Sequence, residues 1–418
     1  MFKRILTLVV VLVLAGQNLS FAAATQVDSL IEKLVEKGIL DKSEARNLKM
    51  EIAEDAKVIQ EDAAKAVVPD WVKNTKVKGD VRLRYQYERR ENDTESRTRG
   101  RLRFRLGIEN NPIKEVKVGV GLATAEVGST TDDARSTNMT FTDGFRRGDI
   151  RLDYAFAEYQ PAPWAKVIGG KFVKSDYLWT TSDMLWDSDI NPAGASVHLE
   201  HKVVEPLTAF MNAGSWVIDE NNKTDRTDPF VVYSQGGVKY KEGVLDAALT
   251  GQYYGFNGVK GITVDGTSSS NTLTGSVLKY DYDSIGASAE VGVKKPAESL
   301  PIERIAIFGD YIQNVDLYKD DEGKGFAFGA KIGDEKVGGP KQWQLKYQFT
   351  NLGKDAFVDA FPDSDRLGGA TDVRGHEWEL TIGLAKNISL GFDYYQDQRI
   401  KATKNPQRIA QADLNIKF

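Results

Sequence analysis

The sequence predicts an all-β transmembrane antiparallel β-barrel of about 16 strands, preceded by a short periplasmic α-helical segment. Three observations carry that expectation. The final stretch, Gln407 to Phe418, alternates strictly: Ala410, Ala412, Leu414, Ile416 and Phe418 fall on one side of an extended strand, Gln411, Asp413, Asn415 and Lys417 on the other. Such a strand suits a wall between lipid and water, and it must zip to the first strand to leave no open edge. The same period of two recurs throughout the chain after Trp71. Finally, a mean hydropathy of −0.39 with 41% hydrophobic residues looks soluble, and no run of ~20 apolar residues follows the N-terminus. A barrel hides its apolar residues at alternate positions, so a polar average and a lipid face coexist.

Taken in order, Lys3 and Arg4 precede the apolar run Ile5 to Ala15 and the small residues Ala22-Ala23-Ala24. This is the charged, apolar, small-residue order of a secretory signal over residues 1–24. Residues 25–68 change to a helical period. Val27, Leu30, Ile31, Leu34 and Val35 form one stripe, and Gly38 is placed for a left-handed cap. Asp41 and Glu44 then read as a capping box for a second helix striped by Ala45, Leu48, Ile52, Ala56, Ile59 and Ala63. Two such helices bury little alone, so they are expected either to pair coiled-coil fashion with copies in neighbouring subunits or to stand as a solvated hairpin. Pro69 ends the segment, and residues 69–418 form the barrel.

In the first strand Val77, Gly79, Val81, Leu83, Tyr85 and Tyr87 alternate with Lys78, Asp80, Arg82, Arg84 and Gln86. The second sets Gly100, Leu102, Phe104, Leu106 and Ile108 against Arg99, Arg101, Arg103 and Arg105. An arginine at the lipid midplane costs ~2–4 kcal/mol, so four would rival the ~5–15 kcal/mol that holds a typical fold. They must face water, which in a barrel is the lumen. Short connections such as Lys241-Glu242-Gly243 and Ala385-Lys386-Asn387 alternate with long polar ones near 125–147, 174–192, 219–228, 257–270, 351–375 and 397–405. That asymmetry separates periplasmic turns from outer loops. Tyr85, Tyr253, Tyr311, Phe349 and Tyr394 are expected in the outer aromatic girdle, Trp164, Trp343 and Phe418 in the inner. Both chain ends should be periplasmic, which requires an even strand number and makes Asn271 to Val293 one strand running up into a loop. A barrel of ~16 strands is wide enough for an aqueous channel.

The helical prefix Leu30 to Leu40, the arginine strand Arg99 to Arg105, the segment Ile168-Gly169-Gly170-Lys171-Phe172 after a proline turn, and the terminal Phe418 together resemble the bacterial outer-membrane putative porin family, a group similar to phosphate-selective and general porins. The resemblance implies a passive diffusion channel in the bacterial outer membrane, commonly a homotrimer. It also implies insertion by barrel-assembly machinery that reads the last strand, here Leu414, Ile416 and Phe418.

Within that frame Arg82, Arg84, Arg99, Arg101, Arg103 and Arg105 are candidate pore-lining residues, a guanidinium ladder that would favour small hydrophilic or anionic solutes. Lys174 to Pro192, with Asp176, Asp183, Asp187 and Asp189, is the candidate constriction loop, whose carboxylates opposite the arginines would set up a transverse field. Enzymatic motifs are lacking: there is no HExxH and no phosphate-binding glycine loop. No cofactor or metal is called for. His198 and His201 point to opposite faces of a strand, and with no cysteine there is no thiolate site. A net charge of −5 argues for no nucleic acid. The competing expectation is a plugged barrel acting as an envelope anchor or surface adhesin, with the helices as its working part.

Overall fold

The computed structural model describes residues 31, 33, 35–38, 41–47, 50, 69–126, 133–142, 147–220, 228–266, 268–297, 299, 301–317 and 320–418. The signal segment 1–24 and most of the helical stripes lie outside them. The chain divides into two units, Met1–Lys73 and Asn74–Phe418. In the first, Asp41 Oδ1 accepts from the backbone N–H groups of Ser43 (2.6 Å) and Glu44 (2.8 Å). Glu44 Oε2 accepts from the N–H of Asp41 in return (2.9 Å), the reciprocal pattern expected of a capping box. Gly38 has φ +69°, the left-handed cap expected there.

In the second unit 16 antiparallel strands close into a barrel. The first eight are β1 (Thr75–Arg90), β2 (Arg97–Ile113), β3 (Val116–Ala125), β4 (Asp149–Ala162), β5 (Ala165–Lys171), β6 (Ala193–Val204), β7 (Leu207–Val217) and β8 (Phe230–Glu242). The rest are β9 (Leu245–Asn257), β10 (Ser284–Lys294), β11 (Arg304–Asn314), β12 (Lys324–Gly333), β13 (Trp343–Leu352), β14 (Val373–Ala385), β15 (Ile388–Arg399) and β16 (Gln407–Lys417). Strand β16 pairs with β1 from Asp80↔Lys417 to Arg90↔Gln407, so the terminal strand closes the sheet beside the arginines. Tight turns lie at the end that carries Asn74 and Phe418, with Gly243 and Asn387 supplying the positive φ that such turns require. The long connections share the other end. Alternation is plain on β1, where Leu83 and Tyr85 are exposed to lipid while Arg84 and Gln86 are buried inside.

Two expectations need correction. Residues 271–283 do not extend a barrel strand: Leu273–Thr274 and Val277–Leu278 pair with each other in a small hairpin, and the wall resumes only at Ser284. The Asn271 side-chain amide donates to the carbonyls of Lys354 (2.7 Å) and Phe357 (2.9 Å), which draws this segment off the wall. The strand number stays even because this stretch still supplies one wall strand.

The lumen, expected to be an open aqueous channel, is partly filled. A barrel's outer apolar face meets lipid and cannot pack on itself, so a packed core can form only inside. Here the connections 172–192, 258–283 and 353–372 fold onto inward-facing Trp216, Tyr233, Tyr254 and Phe256. Trp186 sits at the centre, its ring 4.8 Å from Phe361, 5.2 Å from Trp216 and 5.4 Å from Phe357. The polar-inside rule fails along this side of the wall because loops, not water, cover it.

Candidate functional site

The other side of the lumen is charged. Register places Arg82 opposite Arg103 and Arg84 opposite Arg101, both pairs facing inward. Like charges directly opposite repel, and the structure answers with carboxylates. Arg84 makes a bidentate pair with Asp413 across the closing seam, Nε to Oδ1 and Nη2 to Oδ2, both 2.7 Å. Asp80 accepts from Arg103 Nε at 2.9 Å and Arg105 Nε at 2.7 Å. Arg82 donates to Asn138 Oδ1 at 2.6 Å. Arg99 reaches Glu88 at 3.3 Å, and Arg101 hydrogen-bonds Gln86 and Ser136.

The segment 174–192 crosses the interior to meet this wall. Tyr177 Oη donates to Glu158 on β4 (2.7 Å) and the Trp179 N–H donates to Gln235 on β8 (2.9 Å). Thr181 Oγ1 donates to Asp310 on β11 (2.7 Å). Contacts on so many strands require the segment to lie within the barrel rather than above its rim. At its far end Asp189 lies 3.4 Å from Arg105 Nη1 and 4.0 Å from Arg103 Nη1, and it accepts from Thr137 Oγ1 at 3.0 Å.

Between wall and loop lies a cavity of about 610 Å³. Its cations are Arg82, Arg84, Arg103, Arg135, Lys174 and Lys346; its carboxylates, more numerous, are Asp183, Asp187, Asp189, Asp363, Asp365, Glu377, Glu379 and Asp393. Of the candidate arginines, Arg82, Arg84 and Arg103 face it, whereas Arg105 borders a neighbouring cavity of about 440 Å³ that shares Asp189. Arg99 and Arg101 border neither. Of the candidate loop acids, Asp183, Asp187 and Asp189 line it; Asp176 is exposed and outside the lining.

Burial pushes the Asp187 carboxyl up to about 7, with Asp189 adding and the N–H groups of Asp189 and Ser364 opposing. Burial acts on Asp189 too, but Arg103, Arg105 and Arg82 outweigh it and hold that carboxyl below its usual range. Lys174, buried and donating to the carbonyls of Asp187 and Ile190, is brought down to about 8 by burial, which outweighs the opposing pull of Asp187, Asp189 and Asp183. Asp363 is raised well above the usual range by burial and by Asp183 and Asp365.

Several residues of this site are not among the sequence candidates. Lys346 on β13 bridges Glu377 (3.1 Å) and Glu379 (3.6 Å) on β14, whose alternation with outward Trp378 is a readable inward signal. Arg366 donates to Glu377 (2.7 Å) and Asp397 (2.9 Å), both on the wall, and pins the connection 353–372 to it. Its clue is the density of acids around it in Asp363-Ser364-Asp365-Arg366, within a loop that also carries the apolar run Ala356-Phe357-Val358.

A family described as "Putative porin" matches residues 87–291 and 276–418. No curated protein matches the sequence. Among solved structures, OprB of Pseudomonas putida at high pH superposes with a TM-score of 0.54 at 9% identity, over 83% of this chain and 95% of that chain. The Salmonella typhi OmpF complex with daunomycin (0.48, 11% identity, 82% and 97%) and the Acinetobacter baumannii outer membrane channel DcaP (0.45, 15% identity, 82% and 97%) are also similar. With the family match spanning most of the barrel and a closed 16-stranded wall around a charged lumen, the chain belongs to the putative porin family of bacterial outer-membrane channels.

Proposed function

We propose that the protein is a passive diffusion channel for small hydrophilic solutes and ions, narrowed where segment 174–192 faces the β1–β2 arginines. The observation that carries this reading is the cavity itself, bounded by Arg82, Arg84 and Arg103 on the wall and by Asp183, Asp187 and Asp189 on the loop. Opposed rows of fixed charge orient dipolar solutes and tax apolar ones.

The anion preference suggested by the arginines is conditional. Most of their guanidiniums are engaged by carboxylates, so an excess of positive potential along the Arg82 and Arg103 face requires Asp187 and Asp363 to hold their protons. The preference therefore belongs to pH below about 7. We further assign residues 1–24 to a cleaved signal, 25–68 to a periplasmic helical segment, the functional assembly to a homotrimer, and Leu414, Ile416 and Phe418 to recognition by barrel-assembly machinery.

Planar-bilayer recording of the purified protein tests this function. Stable conductance steps are expected, with a reversal potential on the anion side in a salt gradient at pH 6. Absence of conductance overturns the channel reading, and a cation-side potential at pH 6 overturns the preference. The packed half of the lumen favours one alternative, a plugged barrel that anchors the helical segment. Deleting residues 26–67 separates the two, because a channel conducts without them.

A further inference from the structure

Outside the lumen, one part of the outward surface departs from the apolar rule. On β1 the outward face runs Leu83, Tyr85, Tyr87, Arg89 towards the long-connection end; on β15 it runs Phe392, Tyr394, Gln396, Gln398; on β14 it runs Trp378, His376, Arg374. Strand β16 places Arg408 beyond Ala410. Each strand thus passes from aliphatic or aromatic to cationic or amide side chains. Arg374 stands four residues beyond Trp378, about 13 Å along the strand. Since aromatic belts mark the edge of the hydrocarbon, that places it among headgroups.

Register gathers these residues into one band. Arg89 lies opposite Arg408, Arg408 opposite Gln396, Gln396 opposite His376, and Gln398 opposite Arg374. Arg89 and Arg408 are both exposed, and two guanidiniums directly across a strand pair repel each other. Arg374 is steered by Asn351, whose Oδ1 accepts from its Nε at 2.8 Å. His376 is held by Tyr347, with Oη 2.8 Å from Nδ1, and lies against Trp378. A cavity of about 310 Å³ opens among Arg374, His376, Gln396, Gln398 and Arg408, with the carboxylates of Glu91 and Asp397 also in its lining. On the other side of Arg374 a second, of about 520 Å³, is bordered by Lys324, Lys354 and Lys401 and by the carboxylates of Asp321, Glu322 and Asp372, Asp321 pairing with Lys324 at 3.0 Å.

We propose that this band is a binding site for the phosphate-bearing headgroup of an outer-leaflet lipid. The chemistry matches: forked guanidiniums take phosphate oxygens bidentately, and an anion between Arg89 and Arg408 removes their repulsion. The position specifies a lipid rather than a solute, because Arg89, Arg374, His376, Gln396 and Arg408 stand at outward positions of the wall beyond the aromatic belt.

The test uses the full chain in detergent micelles, titrated with bisphosphorylated lipid A, with its dephosphorylated form and with inorganic phosphate, bound copies being counted by native mass spectrometry. The bisphosphorylated lipid is expected to bind, and the R374Q/R408Q double variant to bind it at least ten-fold more weakly while single-channel conductance is unchanged. Equal binding of the dephosphorylated lipid, equal affinity for inorganic phosphate, or undiminished binding by the double variant overturns the proposal. If the double variant does not insert, R374Q alone gives the same readout, and the conductance control keeps failure here separate from failure of the channel reading.

Discussion

Arg84 and Asp413 meet across the seam with 5% and 6% of their side chains exposed, so each carries a charge that water no longer stabilises. Replacing Asp413 by Ala leaves the guanidinium with only Asp365 at 3.4 Å and Asp393 at 3.8 Å. A loss of about 3 kcal/mol is expected, the low end for breaking a buried pair, seen as a lower unfolding midpoint in urea; an unchanged midpoint refutes it. Asp187 makes the second residue-scale prediction. Its folded pKa, about 7, lies above its ordinary value, so the fold holds a proton that the unfolded chain has released. Stability falls as pH rises from the ordinary carboxylate range near 4 towards that value, then levels off. Over the same rise the cavity gains a negative charge, and Lys174 loses its positive one around pH 8. The anion-to-cation permeability ratio is expected to drop roughly four- to six-fold between pH 6 and 8, because one charge about 8 Å from the path at the dielectric of water shifts anion and cation by about 0.5 kcal/mol each in opposite directions. D187N should flatten that step. The arginines were legible in the sequence because period two dictates their face. Their partners were not: Asp413 lies 329 residues from Arg84, and no local pattern ties the two.

At the scale of elements, the wall was readable and the plug was not. A strand between lipid and water must alternate, and the strands expected from alternation coincide with observed ones except at 271–283, where a small hairpin off the wall takes the place of the expected strand. A loop folded into the lumen answers to no period. Val259, Ile262 and Val264, and likewise Ala356-Phe357-Val358, look like stray apolar residues in outer loops, yet all are buried together. Trp186 holds the three connections to one another, and its truncation to Ala should cost about 3–5 kcal/mol of loop packing. The barrel ladder does not depend on it. W186A is therefore expected to retain the folded barrel's heat-sensitive gel mobility, to become cleavable within 172–192 by added protease, and to conduct more per channel. Wild-type protease resistance together with wild-type conductance would show that the connections are held elsewhere.

For the whole molecule the decisive feature is closure. The ladder between β1 and β16 ends where Phe418 and Gly79 exchange backbone hydrogen bonds, Gly79 N–H to the Phe418 carbonyl at 2.9 Å and Phe418 N–H to the Gly79 carbonyl at 3.0 Å. The ring lies over Gly79, where an added Cβ would meet it at 2.5 Å, so glycine is what lets the terminal residue reach the seam. With the ring 54% exposed, its packing contributes modestly to the folded barrel. Stability and recognition can therefore be separated by one substitution. F418A keeps both backbone bonds, so the protein refolded in micelles should unfold within about 1–2 kcal/mol of wild type, as expected for truncating a half-exposed side chain. If the ring is read during insertion, the same variant should fall several-fold in outer-membrane abundance in cells, and the shortfall should appear as degraded chain in the periplasm. Equal abundance in the membrane would confine Phe418 to closing the barrel, whereas a large loss of stability in micelles would make recognition unnecessary to explain its place at the end of the strand.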